Sequence, residues 1–262
     1  MGRHPVSGAD QIRVARAFRR GLGSYDRAAR AQARIAADLA RLMAEAGIVE
    51  PARAFEFGCG TGFLTRRIAQ ALRPGWFLVN DLVAESRAHV APALDAAARP
   101  WAFAAGPVQD LDLPGDFDLI ASSSTVQWLP DPAAQIARLA DRLAPGGWLA
   151  LSGFGPDQFR ELRWLGSDAQ APSYLPARDW AALLPPDLQP KRLAERHMRL
   201  AFADAPSLLR HLRATGVNAQ AGQRWSRGRL AAFETRYRDA FGRGGALPLT
   251  YHPTFVLAQK TG

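Results

Sequence analysis

Between Arg53 and Phe154 the chain alternates short apolar runs with segments of helical length. Short, continuous apolar runs are typical of strands buried on both faces, and the longer segments between them fit helices that cover a sheet. This alternation predicts a doubly wound α/β fold with a mostly parallel sheet. The strand candidates are Ala54–Phe57, Phe77–Asp81, Trp101–Ala104, Phe117–Ser122 and Trp148–Phe154.

The sequence indicates where two helices in the first part of the chain begin or end. Asp131 is a good N-cap and Pro132 suits the first turn, and an apolar stripe then extends to Leu143 before a Pro-Gly-Gly sequence. Upstream, a second stripe starts at Ile35 and its helix should end near Gly47, since glycine commonly terminates helices. Both helices are expected to cover the sheet.

After Phe154, short helical patterns alternate with extended segments. Insertions in this part of a doubly wound sheet commonly cover a ligand, so we expect helical lid insertions at 156–190 and 217–247. The pattern as a whole predicts a single domain, with N-terminal helices in 1–50, a central core in 51–155, and last strands in 191–202 and 251–260. The predicted later helices are 157–165, 177–184, 207–215 and 229–241.

Composition narrows the class of protein. The 262 residues are 48% hydrophobic, which is enough for a large core and excludes disorder as the main state. Arginine interrupts every apolar run before membrane-helix length, and residues 1–10 lack a secretory signal pattern, so we expect a cytoplasmic protein and no membrane partner. Cys59 is the only cysteine, which excludes an internal disulfide and a thiolate zinc cluster.

The chain is strongly basic, with a formal charge of +9. Lys191 and Lys260 are its only lysines, so nearly all of the excess is arginine. An acidic partner would explain this charge, whether nucleic acid or an acidic protein, and so would a compositional bias of the genome. Interleaved aromatic and basic residues, which favour nucleic acid, occur only around Trp225, so a nucleic-acid partner is the less expected one.

The sharpest motif is a glycine loop, Glu56-Phe57-Gly58-Cys59-Gly60-Thr61-Gly62, between the first predicted strand and a helix. Gly58, Gly60 and Gly62 allow a tight turn and close approach of a ligand. The loop lacks the lysine of a phosphate-binding P-loop, and its glycine spacing does not fit the dinucleotide pattern. The carboxylate of Glu56 favours a positively charged ligand.

Asp81 ends the second predicted strand, about 19 residues beyond the loop, where a carboxylate can accept hydrogen bonds from both hydroxyls of a ribose. The glycine loop, Glu56 and Asp81 together predict a site for S-adenosylmethionine, with its amino-acid end at Glu56 and its nucleoside at Asp81. A purely structural turn with a surface Glu and Asp is the alternative.

Over positions 50 to 155 these features resemble the class I S-adenosylmethionine-dependent methyltransferases, whose fold is Rossmann-like. The whole chain more narrowly resembles the malonyl-carrier-protein O-methyltransferases of biotin synthesis. The closer resemblance lies in three segments, which are the stretch from Ala17 to Gln32, Thr125-Val126-Gln127-Trp128, and Pro248-Leu249-Thr250-Tyr251-His252. It implies a seven-stranded sheet with a helical lid, and esterification of a malonyl carboxylate on acyl carrier protein or, alternatively, coenzyme A.

One segment departs from the family. Where its members usually have Gly-Asp before the adenine contacts, this chain has Gly106-Pro107-Val108-Gln109. Val108 and Gln109 are therefore expected at the adenine, with Gln109 or Asp110 in place of the missing acid.

A malonyl carboxylate is already ionised at neutral pH, so its methylation needs alignment and no general base. Tyr25, Gln127 and Trp128 are the candidate catalytic residues, as donors and aromatic walls around the reacting groups. Tyr251 and His252 are weaker candidates. Ordinary roles in packing or capping remain open for all five. The five histidines sit apart in sequence, and we predict no metal site.

Two arginine clusters could steer an acidic carrier protein to the pocket. One comprises Arg13, Arg16, Arg19 and Arg20, and the other comprises Arg224, Arg227, Arg229, Arg236 and Arg238. Two other functions stay open, namely a methyltransferase for another small carboxylic acid, and a non-catalytic factor that binds RNA or protein through a degenerate cofactor fold.

Overall fold

A seven-stranded sheet forms the centre of the computed structural model, which describes residues 8–167, 171, 173–215 and 226–262. Its strands are β1 (Arg53–Phe57), β2 (Trp76–Asp81), β3 (Trp101–Ala105), β4 (Phe117–Ser123), β5 (Leu143–Phe154), β6 (Leu188–Glu195) and β9 (Pro253–Lys260), in the order β3-β2-β1-β4-β5-β9-β6. β1 to β5 are parallel, and β9 runs antiparallel to both β5 and β6. The predicted mostly parallel, seven-stranded α/β fold is confirmed.

Helices cover both faces of this sheet. They are α1 (Gly8–Ala28), α2 (Arg30–Glu45), α3 (Phe63–Arg67), α4 (Ser86–Ala96), α5 (Pro132–Ala140), α6 (Arg160–Trp164), α7 (Ala177–Ala181), α8 (Ala205–Ala214) and α9 (Arg227–Phe241). Alternate residues of β1 face opposite layers, so that Ala54 packs in the core beside α2, α3 and α4, while Phe55 packs in the core beside α5 and α7. The fold is therefore doubly wound, as the alternating pattern predicted.

The helix predicted to reach Leu143 is shorter. The Asp131 carboxylate accepts a hydrogen bond from the N–H of Ala134 as the expected N-cap, but α5 ends at Ala140. Leu143 is the first residue of β5 and pairs with Phe117. The prediction was wrong here because a buried leucine fits the apolar stripe of a helix and the start of a buried strand equally well.

A small second sheet pairs β7 (Met198–Phe202) with β8 (Leu247–Tyr251). Each of the two extended segments predicted after residue 190 is thus shared between two sheets, because the chain leaves the main sheet after β6 and re-enters it at β9. The buried side chains of β8 and α8 belong to the same apolar core as those of α2. The second sheet therefore extends the main core outward.

Helix α1 packs against α8, and the chain bends between α1 and α2 at the fully buried Ala29. At Gly21, an added Cβ would lie 3.3 Å from the carbonyl oxygen of Ala214 in α8, so the two helices approach closely at this point. Among the described helices, none is long and apolar enough to cross a membrane.

Candidate active site

A cavity of about 320 Å³ opens at the carboxyl ends of the parallel strands, where doubly wound sheets bind their ligands. Its described walls come from the loops after β1, β2, β3 and β4 and from helices α1 and α2. No described residue of 156–190 or 226–247 lines it, and 217–225 lies outside the described residues. The lid roles of 156–190 and 217–247 remain predictions.

The glycine loop after β1 forms one wall of the cavity. Gly58, Gly60 and Gly62 have φ angles of 68°, 55° and 88°, which lie in the left-handed region that favours glycine. A Cβ on Gly58 would lie 2.3 Å from Oγ1 of Thr125, while a Cβ on Gly60 would meet nothing within 4 Å. Gly58 therefore packs tightly against the loop after β4, while the space beside Gly60 is open to a ligand.

Asp81 lies across from this loop, at the end of β2. Its Oδ2 accepts a 2.7 Å hydrogen bond from the N–H of Gly60, and its Oδ1 accepts one of 2.8 Å from the N–H of Val83. Burial raises the pKa of this carboxyl, and the two backbone hydrogen bonds oppose that rise. Because each carboxylate oxygen can accept a second hydrogen bond, Asp81 can hold the loop and still receive ribose hydroxyls.

Glu56 is 1% exposed and lines the cavity from the end of β1. Its Oε2 has no hydrogen-bond partner among the described residues. Burial raises the pKa of Glu56 to about 8, because the loss of water around a charged carboxylate outweighs the opposing effects of Thr65 and Arg66. A cationic ligand at the unpartnered Oε2 would compensate for the rest of that loss, and the ammonium group of S-adenosylmethionine fits the requirement.

At the other end of the cavity, the loop after β3 offers the expected adenine contacts. Val108 is 7% exposed, and both Val108 and Gln109 line the cavity. Asp110 is exposed and is not part of the cavity wall, so Gln109 is the better placed of the two candidate substitutes for the missing acid. Asn80 supports this loop, since its side-chain amide donates 2.9 Å hydrogen bonds to the carbonyls of Ala104 and Gly106.

Aromatic rings close the remaining side of the cavity. Tyr25 lies 6.2 Å from Phe63 between ring centroids, and Phe18 makes an edge contact with Trp128 at 6.1 Å. All four residues line the cavity. Burial raises the pKa of the Tyr25 phenol, so this group stays protonated at neutral pH and can act as a hydrogen-bond donor.

Gln127 is placed differently from the other two candidate catalytic residues. It is 2% exposed, does not line the cavity, and donates a 2.6 Å hydrogen bond from Nε2 to the carbonyl of Ser124. This contact corresponds to the capping role that the sequence left open. Tyr25 and Trp128 therefore both line the cavity, while the side chain of Gln127 is buried outside the cavity wall.

Sequence reasoning did not select Phe18, Phe63 and Thr125 as site residues, although all three line the cavity. Phe63 directly follows the glycine loop, and Thr125 is part of the segment after the fourth strand that resembles the family. For Phe63 and Thr125, the position after the carboxyl end of a predicted strand was the available signal, while Phe18 lies in α1 and had only the resemblance of the N-terminal stretch to indicate it.

The weaker candidates Tyr251 and His252 lie outside the described cavity wall. Tyr251 is fully buried, and its hydroxyl is 2.6 Å from Nε2 of His211. The ring of His252 lies 4.3 Å from that of His197, and its Nε2 is 3.0 Å from Oε2 of Glu195. Both side chains have structural partners.

The contact between His197 and His252 was not foreseen, and Asp157 joins them within 4.8 Å, a grouping that could hold a metal ion. Nε2 of His197 is 2.9 Å from Oδ2 of Asp157, and Nδ1 of His252 accepts a hydrogen bond from the N–H of Asp157. The two rings are stacked with 23° between their planes, and both ring nitrogens of His252 have hydrogen-bond partners, in Asp157 and Glu195. The cluster fits a hydrogen-bonded connection between the loop after β5, the β6–β7 connection and the start of β9.

Neither arginine cluster contributes to the described cavity wall, which contains no lysine or arginine. Arg19 pairs with Glu85 at 2.8 Å, and Arg238 pairs with Glu234 at 2.6 Å. Arg224 lies outside the described residues, as do the side chains of Arg13 and Arg20. Arg16, Arg227, Arg229 and Arg236 are exposed.

Comparisons with known proteins agree with this site. Residues 55–149 match the family described as a methyltransferase domain. The N-methyltransferase NodS of Bradyrhizobium japonicum in complex with S-adenosyl-L-homocysteine is similar in structure, with a TM-score of 0.59, 14% identity, and 95% of this chain and 99% of that chain covered. The [4+2]-cyclase SpnF is also similar, with a TM-score of 0.54, 16% identity and coverage of 86% and 80%. Similarity at this level shows the fold alone.

The fold, the cavity and these matches define a class I S-adenosylmethionine-dependent methyltransferase. Sequence relatives narrow the family. A protein of Chlorobium luteolum named malonyl-[acyl-carrier protein] O-methyltransferase is 33% identical over 254 residues, which cover 96% of each chain. A protein of Prosthecochloris aestuarii with the same name is 35% identical and covers 93% of this chain and 91% of its own. The chain belongs to the malonyl-[acyl-carrier protein] O-methyltransferase family.

Proposed function

We propose that this protein methylates the free carboxylate of a malonyl group carried as a thioester on acyl carrier protein, in the early part of biotin synthesis. The observation that carries the proposal is the similarity over nearly the full length to relatives named for this reaction. The alternative of a degenerate, non-catalytic fold is disfavoured, because the cavity, the glycine loop and both carboxylates are in place.

Glu56, the glycine loop, Asp81 and Gln109 would hold S-adenosylmethionine along the strand ends. When bound, S-adenosylmethionine supplies a methyl group on a positively charged sulfur, which reacts with a carboxylate oxygen. The buried Oε2 of Glu56 would accept from the ammonium group, and Asp81 would accept from the ribose. These roles of individual residues are proposals drawn from their positions.

The chain's own contribution to the reaction is alignment and exclusion of water. Alignment of this kind contributes roughly 7 to 11 kcal/mol in the best cases. The rings of Phe18, Tyr25, Phe63 and Trp128 offer aromatic faces and edges that suit a cationic centre, and they limit the access of water. The protonated phenol of Tyr25 could donate to the carboxylate that accepts the methyl group. Gln127 would hold the β4 loop through Ser124.

The test is transfer of a labelled methyl group from S-adenosylmethionine to malonyl-acyl carrier protein, detected by mass spectrometry of the carrier. Malonyl-coenzyme A is assayed in parallel to learn which thioester is preferred. Assays with small dicarboxylic and tricarboxylic acids test the alternative that the protein methylates a different acid. Methylation of those acids and of no malonyl thioester would overturn the proposal, as would the absence of cofactor binding in calorimetry.

A further inference from the structure

A second cleft, of about 260 Å³, lies on the outer layer formed by α6, β7, the end of α9 and the start of β8. It shares no described lining residue with the cofactor cavity. Its wall includes Arg160, Arg199, Arg243, Glu161 and Phe241. None of these arginines belongs to the clusters selected from the sequence.

The charge of this cleft is largely uncompensated. Arg199 and Arg243 are exposed, and neither guanidinium lies within 4.0 Å of a carboxylate in the part of the chain that the structure describes. Glu161 is the only carboxylate in the described wall of the cleft. It is 2% exposed and accepts hydrogen bonds from the N–H and the hydroxyl of Thr250, besides an ion pair with Arg160 at 3.7 Å.

An exposed aromatic side chain stands beside these arginines. Trp164 is 64% exposed, although tryptophan is usually well covered, and it makes an edge contact with Phe241 at 5.2 Å. Phe241 in turn lines the cleft. Tryptophan and arginine are the residues most enriched among those that dominate binding at protein interfaces. An apolar anchor within a cationic rim is the composition expected of a docking surface.

We propose that this surface, formed by Arg160, Trp164, Arg199, Phe241 and Arg243, binds the acidic protein that carries the acyl substrate. The inference rests on the proposed function, because the relatives are named for a substrate attached to a carrier protein. Carrier proteins of this kind are small and strongly acidic, so the arginines would attract one and Trp164 would bury its exposed face against it.

Other occupants fit less well. A second copy of this chain would bring the same arginines together across a two-fold axis, and each chain already has a charge of +9. A small anion would leave the exposed face of Trp164 uncovered. Single-stranded nucleic acid usually stacks successive bases on several aromatic side chains, and the exposed aromatic residue of this surface is Trp164 alone among those described.

The test compares two double variants with the same change in net charge. Arg199→Glu with Arg243→Glu alters the surface, while Arg99→Glu with Arg192→Glu alters exposed arginines at other places in the fold. Anisotropy of labelled malonyl-acyl carrier protein measures binding independently of turnover. We expect the Kd of the first variant to rise about tenfold at low salt and that of the control to change less than about twofold.

Trp164→Ala should raise the same Kd by about tenfold, and this loss should persist at high salt because it is apolar in origin. Affinity for S-adenosylhomocysteine should be unchanged in every variant, which verifies the fold of the cofactor site. The KM for a malonyl thioester of a small uncharged thiol should also be unchanged.

Equal losses in both double variants would overturn the proposal, since only net charge would then matter. An unchanged Kd in Arg199→Glu with Arg243→Glu would overturn it as well. So would tighter binding of a single-stranded oligonucleotide than of the carrier protein, if the same two substitutions abolish it. Failure of the proposed function is distinguishable, because it gives carrier binding without methyl transfer to any malonyl thioester.

Discussion

The backbone N–H of Gly60 donates a 2.7 Å hydrogen bond to Oδ2 of Asp81 and so joins the glycine loop after β1 to the end of β2. One carboxylate therefore shapes the loop and also lines the part of the cavity that is proposed for the nucleoside. If Asp81 also accepts hydrogen bonds from the ribose, as proposed, its replacement removes the acceptor of the Gly60 N–H and that of the ribose together. This coupling makes Asp81 the most sensitive position predicted for the cofactor.

Asp81→Ala should weaken binding of S-adenosylhomocysteine by about 10- to 100-fold, which corresponds to about 1 to 3 kcal/mol for lost and unsatisfied hydrogen bonds. Isothermal calorimetry measures this change directly. Asp112→Ala, at an exposed carboxylate after the β3 loop, is the control and should bind normally. Unchanged affinity in Asp81→Ala would remove this residue from the site.

Glu56 gives a pH-dependent prediction. Its pKa of about 8 in the folded protein lies above the ordinary 4.5, so between these values the folded chain retains a proton that the unfolded chain has lost. The group's contribution to stability therefore falls as pH rises through this window. Binding of a cationic cofactor should favour the ionised carboxylate and release this proton, so affinity should rise with pH up to about 8.

Below pH 8 or so, the affinity for the cofactor should rise by at most about tenfold per pH unit. Calorimetry in buffers of different ionisation enthalpy counts the released protons. Glu56→Gln keeps the size of the side chain and removes its titration, so this variant should bind more weakly at pH 8 and release no proton. Proton release that persists in Glu56→Gln would assign the effect to another group.

Gly58 is predicted to tolerate no side chain. In Gly58→Ala the new Cβ would lie 2.3 Å from Oγ1 of Thr125, and the φ of 68° would itself cost about 1 kcal/mol. We expect a lower Tm and weaker cofactor binding, measured by thermal unfolding with and without S-adenosylhomocysteine. Gly115→Ala is the matched control, because its Cβ would meet nothing within 4 Å.

The sequence predicted the central sheet well for a physical reason. Strands such as Phe117–Ser123 are buried on both faces, so their apolar runs are continuous and easily distinguished from the helices between them. The glycine loop and Asp81 could also be predicted from the sequence, because each lies at the end of one of these strands. The local sequence pattern was sufficient to predict a candidate site residue wherever that residue lies at the end of a single strand.

Contacts between distant parts of the chain could not be read in the same way. The stacking of His197 on His252 joins residues on either side of α8 and α9, and the pairing of β7 with β8 brings it about. Leu143 illustrates the related difficulty at element boundaries. In each case tertiary packing decides, and residue periodicity does not encode which distant segment is the partner.

The last prediction concerns the joint between α1 and α2. Tyr25 lies in the last turn of α1, and Ala28 ends that helix. His211 of α8 faces this joint from outside the cavity. Its Nε2 is 2.6 Å from the hydroxyl of Tyr251, and the backbone of Ala28 is close enough to its ring to influence the pKa of the imidazole. Burial lowers the pKa of His211, so the ring is neutral at pH 7 and one nitrogen can accept while the other donates.

Tyr251→Phe removes the hydroxyl from this joint and should loosen α1, so that amide hydrogen exchange in α1 speeds up and cofactor affinity falls several-fold. Tyr237→Phe is a matched control, because the Tyr237 hydroxyl is also buried and donates a 2.6 Å hydrogen bond, to the carbonyl of Pro248 in the same small sheet. Each substitution should lower stability by about 1 to 3 kcal/mol. Only Tyr251→Phe should change α1 and the cofactor, since Tyr237 has no contact with the α1–α2 joint among the described hydrogen bonds. Equal losses of affinity in the two variants would instead mean that general destabilisation, and not the position of α1, controls binding.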